Sequence, residues 1–220
     1  MASQPKRDPK TDSLLTPENA ALLIIDYQPP QINTVRSMDA SILMANVVAL
    51  AKTAKLYNLP IILSTVGVKS GLNPDTVPTI KEAASGAIWI DRTSINAWED
   101  ADFVKAVEAT GRRKLIMAAL WTEVCLAYPA LDALAAGYEV FARVDAVGGT
   151  SLVAHDAALR RIEQAGAHPV SWVGVLCELQ RDWARESTTQ GMVEIASAQG
   201  GPWSTEIALK QFASKGLKIT

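Results

Sequence analysis

Short apolar runs, each of strand length and each followed by a segment with helical spacing, constrain this chain more than any other feature. Ala20–Ile25, Pro60–Thr65, Ala87–Asp91, Leu115–Leu120, Tyr138–Val144 and Ala167–Val173 are the six runs. Ser37–Leu56, Glu99–Thr110 and Leu152–Ala165 carry apolar residues at helical intervals between them. Runs that are apolar throughout, with no polar alternation, suit strands buried on both faces. Alternation of this kind predicts an α/β fold: a parallel sheet with helices on both faces. In such sheets ligands bind beyond the carboxyl ends of the strands, near a reversal of strand order.

The stretch Lys114–Gly137, KLIMAALWTEVCLAYPALDALAAG, shows what the alternation delivers. A buried strand passes through Trp121, Thr122 and Glu123 into a helix on which Val124, Leu131 and Leu134 share a face. Cys125 falls in the first helical turn, where backbone N–H groups and the helix dipole favour a thiolate. A lone cysteine in such a place is more often core than catalyst, so other strand ends must support it. Two do: Asp26 closes the first run and Arg92 the third. An acid, a permanent cation and a thiol thus arrive at one sheet edge. An ordinary thiol is only about 3% ionised at pH 7. A helix start and the Arg92 charge are expected to raise that fraction, with Asp26 taking the proton and later returning it. Read singly, the Asp and the Arg are turn former and ion-pair partner.

Other chemistries find less support. The two histidines, His155 and His168, show no metal-ligand spacing, and a hydrogen-bonded structural role is expected of His155. There is no G-x-G-x-x-G, no P-loop and no G-x-S-x-G. Neither a cofactor nor a metal is expected. With a formal net charge of −2 and scattered Lys and Arg, the chain has no basic stripe for nucleic acid. No apolar run approaches the roughly 18 to 20 residues that cross a bilayer, so no membrane association is expected. The polar opening lacks the apolar region of a secretory signal, which makes a reducing cytoplasm the expected location and Cys125 and Cys177 free thiols. Residues 1–17 read as a polar arm without a fold role, mobile or ordered against a neighbouring subunit, and residues 18–220 as one domain. From Leu176 onward the chain reads as mainly helical, broken at Gly200-Gly201-Pro202. Trp98 and Trp121 could wall a pocket, and the other tryptophans read as core or subunit contacts.

The segments ALLIIDYQ (Ala21–Gln28), INAWEDADFVKAV (Ile95–Val107), TEVCLAYPAL (Thr122–Leu131) and WVGVLCELQRDW (Trp172–Trp183) resemble the isochorismatase-like cysteine hydrolases, in particular the YcaC-like branch. The resemblance spans Asn19–Trp183. It implies a three-layer αβα sandwich around a six-stranded parallel sheet, with a catalytic triad of Asp26, Arg92 and Cys125. Arg92 stands where most of the superfamily has lysine; it keeps the charge but gives up a proton poorly, which favours an electrostatic role. The resemblance further implies a cis peptide bond between Leu120 and Trp121, an oxyanion hole made by the N–H groups of Trp121 and Cys125, and a pocket that includes Gln28, Asn96, Trp98 and Thr122. It implies a homo-oligomer, the branch tending to octamers built of rings, and hydrolysis of a small amide or related carbonyl substrate through a thioester. The segment Ser64–Asn73 holds no histidine, so the metal cluster of the superfamily's nicotinamidases has no counterpart. A redox-responsive or ligand-binding protein on the same fold, without turnover, is the other reading considered.

Overall fold

The structure, a computed structural model, describes residues 7–214. Its centre is a single sheet of six parallel strands: β1 (Ala20–Ile25), β2 (Ile61–Val66), β3 (Ile88–Arg92), β4 (Lys114–Ala119), β5 (Glu139–Arg143) and β6 (His168–Val170). The order β3-β2-β1-β4-β5-β6 means that the chain winds outward from β1 in one direction and then returns to start again on its other side with β4. The reversal lies between β1 and β4, which pair from Ala20↔Lys114 to Ile25↔Ala119.

Period-two geometry divides each central strand between two cores. Leu22 and Ile24 of β1, with Ile116 and Ala118 of β4, face one core; Leu23 and Ile25, with Leu115 and Met117, face the other. The first core is covered by α2 (Ala40–Leu56), α7 (Trp172–Gln180) and α8 (Glu186–Gln199). The second is covered by α4 (Ala101–Ala109), α5 (Ala127–Ala135) and α6 (Leu152–Gln164). The result is the three-layer sandwich. β1 and β4 are fully buried, as runs without alternation require.

Three elements depart from the sequence reading. Two short helices, α1 (Pro29–Asn33) and α3 (Pro78–Ala83), fall in stretches with no long apolar period; a proline at the start of each is the signal they left. The last strand stops at Val170, not Val173, because Ser171 caps α7 by accepting the Gly174 N–H, while Asp145 accepts the Trp172 N–H. After α8, Gly200 takes a left-handed conformation and α9 (Pro202–Ser214) folds back.

Residues 7–17 do not stand away from the fold. Leu15 is fully buried and its N–H donates to Glu178 at 2.7 Å, while Asp12 pairs with Arg181 at 3.1 Å. One apolar side chain and charged contacts with Glu178 of α7 and with Arg181 just after it tie this polar segment down; the rest of the expected arm, residues 1–6, lies outside the described residues. Among the described residues no helix is long and apolar enough to cross a membrane. β3 forms one edge of the sheet, and Ile88 and Trp89 are both substantially exposed there, so Trp89 is not a core residue.

Candidate active site

The site is built at the reversal between β1 and β4. Asp26, one residue beyond β1, keeps its backbone in register through an N–H bond to Ser64 O at 3.0 Å. Its φ of 62° then turns the chain away, a conformation that aspartate tolerates better than most residues. On the other side the Leu120 N–H still bonds Ile25 O at 3.1 Å, so the turn after β4 emerges beside Asp26. The Leu120–Trp121 peptide is cis, as the resemblance implied. Thr122–Leu126 forms a π-helical turn that leads into α5 and carries Cys125.

Arg92 ends β3, two strands from β1, and must span roughly 10 Å between strand axes. It does so across the end of β2. Nη1 donates to Thr65 O at 3.1 Å and Ser64 Oγ at 3.3 Å, and Nη2 donates to Ile95 O at 3.1 Å. The two nitrogens also grip Asp26 bidentately, Nη1 to Oδ1 and Nη2 to Oδ2, both at 2.7 Å. Both side chains of this pair are fully buried. Burial opposes the guanidinium charge, but the hydrogen bonds and charge of Asp26, then the charges of Cys125 and Asp100, outweigh it and raise the Arg92 pKa.

Cys125 completes the group. Its thiol lies near enough to the Asp26 carboxylate, the Arg92 guanidinium and the Trp121 backbone N–H to feel all three. The structure therefore brings Asp26, Arg92 and Cys125 into one cluster. It does not give Cys125 the ready thiolate expected from a helix start beside a cation. Burial pushes the thiol pKa up, the Asp26 charge and hydrogen bond push it further, and Arg92 with the Trp121 N–H only partly counters them. A thiolate there would be the second negative charge against one cation already spent on Asp26. These effects favour the protonated thiol, with the Asp26 carboxylate as its neighbour.

The four expected pocket residues are engaged inside the chain. Gln28 is fully buried; its Nε2 donates to Pro74 O at 2.7 Å and its Oε1 accepts the Val66 N–H at 3.0 Å, which ties the loop after β2 to the end of β1. Asn96 caps the Ala97–Glu99 turn through Trp98 N and donates to Asp132 at 2.7 Å. Trp98 packs edge-on against Phe103 and Tyr138. Thr122 pairs its hydroxyl with His155 Nδ1 at 2.8 Å and its N–H with Gly148 O at 3.0 Å. Gln28, Asn96 and Thr122 hold the strand ends through these hydrogen bonds, and Trp98 does so through ring packing. His155 is buried, its pKa is lowered chiefly by desolvation, and it holds the turn that carries Cys125, the structural role expected of it.

Sequence reasoning missed Glu123, whose Oε1 accepts from Thr150 N and Oγ1 at 2.9 and 2.6 Å and so fastens the same turn. It also missed Gln31 on the short helix α1 and Thr34 just after it. The Trp121 indole Nε1 donates to Thr34 Oγ1 at 2.9 Å and to Gln31 O at 3.3 Å, which fastens the start of the Cys125 turn to α1 and the residue after it. Only the paired prolines before Gln31 hinted at that helix. No cluster of metal ligands occurs among the described residues.

The isochorismatase domain model matches residues 20–173, a span that contains all six strands and the whole cluster. The chain belongs to the isochorismatase family. Within this family it falls with the YcaC branch, and it is an isochorismatase-like hydrolase. It is 42% identical to a probable hydrolase, YcaC of Escherichia coli, over 78% of this chain and 83% of that one. Among solved structures, YcaC from Pseudomonas aeruginosa with hexane-2,5-diol and covalent acrylamide superposes with a TM-score of 0.85 at 39% identity, covering 91% of this chain and 98% of that one. The E. coli YcaC crystal structure, described as an octameric hydrolase of unknown specificity, gives the same TM-score at 38% identity, covering 93% of this chain and 99% of that one.

Proposed function

We propose that this isochorismatase-like chain hydrolyses a small amide or related carbonyl compound through covalent catalysis at Cys125. The observation that carries the reading is one cluster: the Cys125 thiol beside Asp26, whose two carboxylate oxygens are both held by Arg92. The sulfur attacks the carbonyl carbon as its proton passes to Asp26, and the carbonyl electrons move onto oxygen. The backbone N–H groups of Trp121 and Cys125 hold that oxyanion. Collapse breaks the C–N bond, Asp26 returns the proton to the departing amine, and a thioester remains on Cys125. Water then attacks the thioester, Asp26 takes the water proton, and the carboxylic acid leaves as the thiol is restored. Arg92 keeps the carboxylate in place and balances its charge throughout. The covalent acrylamide in the P. aeruginosa relative is in keeping with a reactive group in that protein.

The test is intact-protein mass spectrometry during turnover of a panel of small primary amides, ureas and esters. An acyl adduct that maps to Cys125, decays with release of acid and is absent from Cys125→Ala is the expected result. Turnover by the Cys125→Ala protein at the wild-type rate sinks the proposal.

We further propose that the chain assembles as its octameric E. coli relative does. Exposed Ile88 and Trp89 on the β3 edge and exposed Leu152 and Val153 at the start of α6 leave apolar surface for such contacts. Light scattering at micromolar concentration is expected to give a mass well above the 23.6 kDa of one chain, and a monomer there ends this part of the proposal.

A further inference from the structure

Asp26 presents its carboxylate from a backbone conformation that few residues adopt. Its φ of 62° lies in the left-handed region, which a residue other than glycine occupies only where its surroundings enforce it. Before the turn, the Asp26 N–H is bonded to Ser64 O. After the turn the chain is held at Tyr27, whose carbonyl takes the Val77 N–H at 3.1 Å and whose hydroxyl donates to Ala146 O.

Ala146 follows β5, two strands from β1 on the side opposite β3 and Arg92. Arg92 reaches Asp26 across the end of β2, and the Tyr27 ring reaches Ala146 across the end of β4, a span of roughly 10 Å between strand axes. The unit of Asp26 and Tyr27 is thus anchored from both directions along the sheet edge. Tyr27 is fully buried in the first core, whereas Cys125 belongs to the second, so the tyrosine acts from behind the strand ends.

The loop that Tyr27 grips is itself fixed. Asp145 O accepts from Asn46 Nδ2 at 2.6 Å, Gly148 O from the Thr122 N–H at 3.0 Å and Gly149 O from the Arg36 N–H at 2.9 Å. It has no slack: a Cβ on Gly148 would come within 2.6 Å of Val35 Cγ1, and one on Gly149 within 2.7 Å of Glu123 Oε2. Thr122 and Glu123 belong to the turn that carries Cys125. One rigid loop therefore holds both the residue after the acid and the turn that bears the thiol.

We infer that Tyr27 is a positioning residue, whose hydroxyl bond to Ala146 O keeps Asp26 in its left-handed conformation and so fixes the carboxylate between Arg92 and the Cys125 turn. This rests on the reading of Cys125 as the nucleophile and Asp26 as its proton acceptor. Without the hydroxyl the ring still fills its place, but the tie to the loop is gone. Asp26 then relaxes toward an ordinary backbone conformation and draws its carboxylate, together with Arg92, away from the sulfur. Asp26 opposes ionisation of Cys125 more than Arg92 promotes it, so withdrawal of the pair leaves the thiol easier to ionise.

Tyr27→Phe is tested against Tyr57→Phe, which removes a second buried tyrosine hydroxyl from the same core, one bonded to Gln180 Oε1 and not to the loop. The rate of iodoacetamide labelling at Cys125 is followed against pH by peptide mass spectrometry, with glutathione in the same solution as the reference. A merely structural role lowers the urea midpoint of both variants and moves neither labelling profile. The expected result is a Tyr27→Phe profile displaced to lower pH, with labelling at neutral pH faster by on the order of three- to tenfold, and a Tyr57→Phe profile like that of the wild type. On any amide that the wild type turns over, Tyr27→Phe is expected to lower kcat by on the order of tenfold with KM nearly unchanged. An unmoved profile or an unchanged kcat in Tyr27→Phe, or an equal move in both variants, overturns the Tyr27 role alone. A wild-type protein that labels only at Cys177 at every pH overturns the nucleophile reading and this inference with it.

Discussion

Replacing Asp26 with Asn is expected to reduce turnover by about three orders of magnitude, within the usual range for loss of a general base, while making Cys125 easier to alkylate. The two effects run in opposite directions because Asp26 acts on the sulfur in two ways. Its charge and its hydrogen bond both hold the thiol pKa up, whereas the Arg92 charge pulls it down. With a neutral amide in place of the carboxylate, burial still opposes ionisation, but Arg92 is no longer neutralised and its pull on the sulfur is unopposed. The thiolate is the reactive form, so the rate of labelling by iodoacetamide reports its population. For the wild-type protein that rate is expected to climb ~tenfold per pH unit and to continue climbing beyond the ordinary thiol range. For Asp26→Asn the curve moves to lower pH, and labelling at neutral pH is faster. Cys177, exposed on α7, serves as the internal control and is expected to label alike in both proteins. The variant should fold, since Arg92 retains Thr65 O, Ser64 Oγ and Ile95 O as acceptors and an Asn oxygen can take one further bond. If Asp26→Asn labels more slowly than wild type at every pH, the carboxylate does not oppose ionisation, and the assignment of Asp26 as resident proton acceptor fails.

The sheet was legible because its signal is repeated. Continuous apolar runs place β1, β2 and β4 to within a residue or so, and a polar residue marks where β1 ends. The convergence of Asp26, Arg92 and Cys125 was legible for the same reason, since all three sit at or after strand ends and a parallel sheet collects such ends on one edge. What escaped was everything decided by contacts distant in sequence. Gln28, Asn96 and Thr122 lie in the right neighbourhood, yet their partners are Pro74, Asp132 and His155, and no local pattern predicts those pairings. The ionisation of Cys125 escaped similarly. A helix start argues for thiolate, but burial and an adjacent carboxylate decide the matter, and both follow from packing. Helix α1, which carries Gln31 and is followed by Thr34, is five residues long and too short to show a period of its own.

Removing Arg92 is expected to damage the fold before it damages the chemistry. Arg92→Met leaves the Asp26 carboxylate fully buried with its two 2.7 Å donors gone. Breaking a buried pair from one side typically costs about 3 to 5 kcal/mol, because the remaining charge has no compensation. A shift of that size in a urea midpoint is large against a typical domain stability of roughly 5 to 15 kcal/mol. Arg92→Lys preserves the charge but offers one nitrogen in place of the fork, so it cannot bond both Asp26 oxygens, Thr65 O and Ile95 O together; an intermediate loss is expected. The decisive comparison is the double variant Asp26→Asn, Arg92→Met. If the cost of Arg92→Met comes from a stranded charge, then neutralising Asp26 in the same molecule must restore part of the stability, and the double variant will be more stable than Arg92→Met alone. If instead Arg92 contributes mainly by filling space across the end of β2, the second substitution will add its own cost. The sign of that difference separates a cation retained to hold a proton acceptor in place from one retained to pack the strand ends.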